Sequence, residues 1–415
     1  MRPRANRFVR ALHGLRARIG AGEVPPPSEI AVAFGWRSDQ VRERAISLGR
    51  TKVNIGRGFL GVQPAALFAM PVQRNGVDPL NGAAFYGYHA AVRWGVLVDS
   101  EGLTAFNSHW LIQDRWFALP TVVWEQIDQQ QSVLRAFSPE NMADGEPDRL
   151  ALGRYPNPTL LQPVDDELVD RLDAWRDEAL KSALSHSGVD EHLQILFAKL
   201  FVLRTIEDRG LAPQVTPLSA ATDGPTTLQV RNLLKTFREA RQHICSDLFD
   251  DVNIAEIPHY VISGIINDLY FPQKLSFTGA RYNFSWIDSD VLGLAYEKYL
   301  STILQPRPPT PQLDLFRESY RDVARISVRR AGGVYYTPTY LTKYLAGKCI
   351  DNFLRSAPDG SIPKIIDLAC GSASFLVAAV DTLLDKFKAR DPSKNWAREF
   401  IDGGYINGVD IDERQ

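Results

Sequence analysis

The chain has 415 residues, a length that suits about two or three domains. Its 45% hydrophobic and 23% charged content is that of a globular protein. No apolar run approaches the roughly 20 residues that span a bilayer, so no membrane span is expected. Lys and Arg number 47 against 49 Asp and Glu, a net of −2, which excludes a uniformly basic nucleic-acid-coating chain. Three scattered cysteines, Cys245, Cys349 and Cys370, exclude a disulfide framework and a Cys-rich zinc module. They point to a reducing, cytoplasmic compartment. The seven histidines show no HxxxH or HExxH pairing, and no metal site is expected.

Charge is uneven along the chain. Residues 1–60 hold twelve Arg and Lys against four Asp and Glu, a net of +8, which leaves −10 for the rest. The first twenty residues lack acids, and Phe8, Leu12, Leu15 and Ile19 recur at helical spacing. They predict a basic amphipathic helix, with three readings open: a packed helix, a phosphate-contacting arm, or a transit peptide. Val24–Glu29 (VPPPSE) closes this segment, and Val41–Leu48 reads as one more short helix. Turns are expected at Asn75-Gly76 and Asn81-Gly82, a buried strand over Ala90–Val98, and a second strand (LTAFN) after the turn Asp99–Gly102. Pro139–Pro163 reads as a linker.

Helical texture follows. Asp165–Leu184 carries Leu168, Leu172, Trp175 and Leu180 on one face, and Val189–Leu211 is apolar almost all round, stopping at Gly210. Glu207-Asp208-Arg209 reads as a charged helix end, with catalytic carboxylates as the alternative. Three more helices are expected over Leu228–Phe249, Ile257–Leu269 and Ser289–Leu300. Pro306–Pro311 (PRPPTP) is a second spacer. The expected fold class is α/β plus α: a basic helical segment (1–54), a small α/β region (55–138), a linker (139–164), a helical domain (165–305), a linker (306–330), and the opening of a Rossmann-like domain (331–415).

The chemistry sits in the last 85 residues. Lys364–Leu368 is a short apolar run ending at Asp367. It meets the small residues Ala369, Cys370, Gly371, Ser372, Ala373 and Ser374, and then the amphipathic Phe375, Leu376, Ala379, Leu383, Leu384 and Phe387. Strand, small-residue turn and helix form the layout of a nucleotide-type site, because small residues let a ligand reach the backbone and the helix N-terminus presents N–H groups. A second strand over Tyr405–Ile411 ends in Asp410, whose two oxygens suit a pair of ribose hydroxyls. Asp367 repels phosphate and suits a cationic group, which favours S-adenosylmethionine over NAD or FAD. The polar stretch Lys386–Arg398 separates the two acids by more than the usual dinucleotide spacing, by a longer helix or an added loop.

Asp367–Leu376 (DLACGSASFL) resembles the DPACGSGSFL signature of adenine-specific, amino-type DNA methyltransferases, with Leu368 in place of Pro and Ala373 in place of Gly. Gly332–Pro338 (GGVYYTP) resembles that family's G-x-Y-Y-T-P segment, and Val291–Leu300 its LGxxYExxL helix. The helix around Phe201–Gly210 is similar to the LFLRxLEDRG helix of type IIG enzymes. The resemblance covers about residues 190–415 and points to type I, type IIG or phage-defence methylases. It implies S-adenosylmethionine as cofactor, held by Tyr336, Thr337, Pro338, Asp367, Ala369, Gly371, Phe375, Asp410 and Ile411. It implies double-stranded DNA as partner, with further restriction or defence subunits as a second class of partner. Core packing is the alternative for one of Tyr335 and Tyr336 and for Phe375, and Cys370 reads as a packing residue.

That family's catalytic Asn/Asp/Ser-Pro-Pro-Tyr/Phe segment, which orients the target amine and stacks on the flipped base, has no counterpart in these residues. Asn157-Pro158-Thr159 lacks the second proline and the ring. No catalytic residue is therefore expected in this chain. It reads as the N-terminal part of a longer methylase, inactive by itself, or as a non-catalytic DNA- or subunit-binding accessory. Residues 1–160 show no ExK or DxK on a strand-like run, so neither a metal nor cleavage is expected there.

Overall fold

The computed structural model describes residues 2–48, 51–61, 63–74, 78–113, 115–182, 189–222, 224, 226–244, 247–250, 254, 257–271, 282–287, 337, 339–371 and 373–410. The fold is mixed α/β with a large sheet and many helices. Two compact units form, residues 1–167 with 270–288, and residues 168–269 with 289–415.

In the first unit, α1 (Arg2–Gly20) is a helix packed through its apolar face, as one of the readings of the basic segment expects. Val9, Leu12, Leu15 and Ile19 are buried, each contributing about 2 kcal/mol on leaving water. On its polar side Arg16 pairs with Glu125, and Arg18 pairs with Glu23 and Glu29. Helix α2 (Pro27–Ala33) follows, with proline in its first turn. Val41–Leu48, read above as a helix, is strand β1 instead. It pairs residue by residue with β2 (Thr51–Leu60), from Val41 opposite Gly58 to Leu48 opposite Thr51. The boundary expected at residue 54 thus falls inside a strand. Next comes β3 (Gln63–Arg74), then α3 (Pro79–His89), β4 (Trp94–Val98), β5 (Gly102–Ile112), β6 (Arg115–Ala118) and β7 (Val122–Val123). The sheet runs β1 to β6 in order, antiparallel except for the parallel β3–β4 pair that α3 bridges.

Both faces of β3 are covered. Ala66, Phe68 and Met70 of β3 join α1, α2, Phe34 and Trp36 in one core. The intervening Leu67 faces α3, where a Cβ on Gly87 would lie 2.8 Å from it. This is the period-2 alternation of a strand buried on both sides. The expected Asn81-Gly82 turn lies within α3, which starts at the Asp78 cap and Pro79. The segment expected as a linker is ordered: α4 (Gln131–Arg135) leads into α5 (Pro139–Ala143) and α6 (Glu146–Leu152), and β8 (Thr159–Leu160) pairs with β5. Asn75-Gly76 lies outside the described residues.

The second unit holds α7 from residue 168 (Val164–Ser182), α8 (Val189–Arg209), α9 (Thr226–Ile244) and α10 (His259–Tyr270). Leu193, Leu196, Phe197 and Leu200 are fully buried, as the apolar character of α8 predicts. Gly210, at φ +63°, ends that helix. On α10, a Cβ at Gly264 would lie 2.1 Å from the Trp175 ring, so glycine is what lets α7 and α10 approach. Asp268 accepts from Trp175 Nε1 at 2.7 Å and Arg171 Nε at 3.1 Å. The Ser289–Leu300 helix lies outside the described residues. Among those described, no helix is long and apolar enough to cross a membrane.

Later in this unit come α11 (Thr339–Ser356), β9 (Ile365–Asp367), α12 (Ser374–Lys388), α13 (Trp396–Asp402) and β10 (Ile406–Gly408). Ile350, Ala379, Leu383, Phe387 and Phe400 form their core. The polar stretch between the two acids resolves into a turn and α13, whose Trp396 and Phe400 stack and close on Phe387. Lys386 of α12 pairs with Asp351 of α11 at 2.5 Å.

Candidate cofactor site

Strands β9 and β10 are parallel neighbours, with Gly408 opposite Asp367. The ladder runs on past the strand ends: Val409 N donates to the Asp367 carbonyl at 2.8 Å, and Cys370 N to the Val409 carbonyl at 3.0 Å. Asp367 and Asp410 therefore stand at the same carboxyl edge of the pair, where ligands of open parallel sheets bind. A Cβ at Gly408 would sit 2.8 Å from Leu376 and 2.9 Å from Cys370 Sγ. Glycine there lets the turn fold down on β10.

The turn is held by its own acids. Asp367 Oδ1 accepts from Ala369 N at 3.1 Å, and Asp410 Oδ2 accepts from Gly371 N at 2.9 Å. Gly371 takes φ +50°, and Ala373, directly ahead of α12, takes φ +63° and ψ +23°. The second value is left-handed, which costs an L-residue roughly 1–2 kcal/mol. A glycine at this position in the methylase signature has its physical reason here. From Ser374 the chain enters α12, whose first turn presents backbone N–H groups at the same edge.

Cys370 is half-buried between these acids. Burial first, then the charges of Asp410 and Asp367, push its thiol up from its ordinary value. It stays protonated at neutral pH, which suits packing and not nucleophilic attack.

Of the residues the sequence singled out, the structure brings together Asp367, Ala369, Gly371 and Asp410. Phe375 is half-buried in the first turn of α12. Thr337 is half-buried and lies two residues ahead of α11, which packs along α12. Tyr336, Pro338 and Ile411 lie outside the described residues, as does the Val291–Leu300 segment. The role of Asp410 in tethering Gly371 was not visible in the sequence, because its partner is 39 positions away.

The Glu207–Arg209 segment is structural. Arg204 is 1% exposed and donates to Asp208 at 3.0 and 2.6 Å, while Glu207 Oε2 accepts from Leu218 N at 3.0 Å. The Arg204 bonds lie within α8, and the Glu207 bond ties its end to the loop after it, in keeping with a charged helix end.

The chain is similar to the type II restriction enzyme and methyltransferase RM.Eco57I of Escherichia coli, at 26% identity over 346 residues, covering 77% of this chain and 32% of that protein. The chain thus spans about a third of the length of this curated relative. No family model and no solved structure matches. The chain is a distant relative of a restriction–modification methyltransferase.

Proposed function

We propose that residues 331–415 form the S-adenosylmethionine-binding opening of an adenine-specific DNA methyltransferase domain of Rossmann-like type. One observation carries this reading: two carboxylates at adjoining ends of parallel strands, with a glycine turn and a helix N-terminus between them. Asp367 attracts the ammonium and sulfonium end, and a second acid suits the ribose. A phosphate-rich dinucleotide would be repelled by the same pair. Tyr336, Thr337, Pro338, Phe375 and Ile411 complete the proposed contact set.

When bound, the cofactor supplies an electrophilic methyl group. This chain's residues bind and orient it: Asp410 fixes the Gly371 turn, and Ala369 and Gly371 keep side chains clear of its path. Duplex DNA is the proposed methyl acceptor in the whole enzyme. A polypeptide of these residues has no Asn/Asp/Ser-Pro-Pro-aromatic segment to orient an adenine amine, so it binds cofactor without transferring methyl. The alternative reading is an accessory that docks DNA or a partner subunit of a restriction or phage-defence system.

The experiment is a pair of measurements on the purified protein. Saturation-transfer NMR against S-adenosylmethionine and NAD should give signal for the first alone. Labelled cofactor with adenine-containing duplex should leave the DNA unlabelled. Preference for NAD would refute the cofactor reading, and labelled N6-methyladenine would refute the inactivity. Nuclease action is not proposed for residues 1–160, because strands β2 to β6 carry no Asp or Glu. Magnesium-dependent plasmid nicking would contradict this.

A further inference from the structure

The residues after position 60 sum to −10, and α7 shares in that excess with seven Asp and Glu against three Arg and Lys. Helix α9 runs against it, carrying Arg231, Lys235, Arg238 and Arg241 with Glu239 as its one acid. Its inner face is closed, with Leu233, Thr236, Phe237 and Ala240 buried. At about 100° per residue, Arg231, Lys235 and Arg238 fall within about 60° of one another on the opposite side, and all three are exposed. Arg231 and Arg238 are in ion-pair contact with no acid among the described residues. Arg238 Nε donates to the Leu234 carbonyl one turn back at 3.2 Å, which steadies the side chain along the helix. Glu239 is drawn away from the line: its Oε2 accepts from Thr216 N at 2.9 Å, and its Oε1 stands 3.6 Å from Lys235 Nζ, a loose pair beyond hydrogen-bond reach. Arg241, off this line, is the contrast, because it pairs with Asp250 at 2.9 Å. A plain solvated helix face intersperses both signs, as the sequence of α7 does.

We propose that this line of three cations on α9 is a contact surface for the phosphate backbone of duplex DNA. Arg231 and Arg238 are seven residues apart in sequence, about 10 Å along a helix axis. Over that length one strand of duplex DNA presents about three phosphates, one for each cation. The planar guanidiniums at the two ends match phosphate oxygens two at a time, and the lysine between them acts as a point charge. Contacts of this kind position a duplex and read no bases. The proposal rests on the DNA partner proposed above and makes no use of the cofactor site.

The test measures fluorescence anisotropy of a labelled duplex of about 20 base pairs with the full chain, across a salt series from about 0.05 to 0.2 M. The wild type binds, and the double variant Arg231→Gln, Arg238→Gln weakens binding about ten- to fifty-fold near 0.1 M salt. It also lowers the steepness of log K against log salt by about two, and Arg238→Gln alone lowers it by about one. The melting temperature stays that of the wild type, because exposed side chains without partners add little to stability, so lost binding is not lost fold. Arg37→Gln removes one exposed charge that is already paired with Asp39 and leaves the slope as it was. The double variant keeps the wild-type response to S-adenosylmethionine, so failure here and failure of the cofactor reading are told apart. No duplex binding by the wild type at the lowest salt overturns the proposal. So does an unchanged slope in the double variant, a loss of slope in Arg37→Gln equal to that in Arg238→Gln, or binding to phosphatidylserine vesicles in place of DNA.

Discussion

Lowering the pH from 7 to 5 should destabilise the first unit through two histidines, His89 buried and His109 half-buried. His89 is fully buried, ringed by Phe85, Tyr88, Tyr282 and Trp286 at 4.4, 5.7, 5.4 and 5.8 Å between ring centres. Its Nδ1 faces the Phe85 carbonyl at 2.7 Å, and its Nε2 has no hydrogen-bond partner. A second proton would place an unsatisfied cation in an apolar cage. Burial, opposed in part by that carbonyl, pushes the imidazole down from 6.5 to about 4. His109 is pushed down to about 4 by burial and then by the charge of Arg93. Both are neutral in the folded state and take up a proton near 6.5 on unfolding, so their contribution is complete above pH 6.5 and is lost as the pH falls toward 4. Each costs about 2 kcal/mol by pH 5 and about 3 kcal/mol at pH 4. Urea titrations followed by tryptophan fluorescence report this unit, because six of the eight tryptophans belong to it. The midpoint should drop between pH 7 and 5, and His89→Leu should remove about half of that dependence. A flat profile in the wild type, or an unchanged slope in His89→Leu, would refute the reasoning.

Two further substitutions follow from the geometry. Ala373→Gly removes a left-handed alanine and should raise the stability of the α11–β10 region by about 1 kcal/mol; a lowered urea midpoint by far-UV dichroism would contradict it. Gly264→Ala drives a methyl into Trp175 and should cost about 1–3 kcal/mol. A melting temperature equal to that of the wild type would show that α7 and α10 do not depend on this contact.

The sequence made the local patterns legible. The β9–turn–α12 motif, the β10 acid and the apolar α8 are written in consecutive residues, and each lies where the pattern places it. Long-range pairing was hidden. Val41–Leu48 is rich in Arg and Glu and looks helical, yet hydrogen bonding to β2 makes it a strand with its charges turned to solvent. Pro139, Gly145 and Pro147 looked like a linker, but in the structure they start α5 and α6. Asn81-Gly82 looked like a turn, but Asp78 and Pro79 launch a buried helix through it. At the candidate site, the spacing of the two acids was legible, but the bond from Gly371 to Asp410 was not, because it joins two strand ends through the fold.

Calorimetry of S-adenosylmethionine binding to the wild type and to Asp410→Ala is the most direct measurement. Saturable binding by the wild type, weakened by about 1–3 kcal/mol in the variant, is the predicted result. No heat with the wild type, or equal affinity in both proteins, would remove this acid-lined turn from any role in holding the methyl donor.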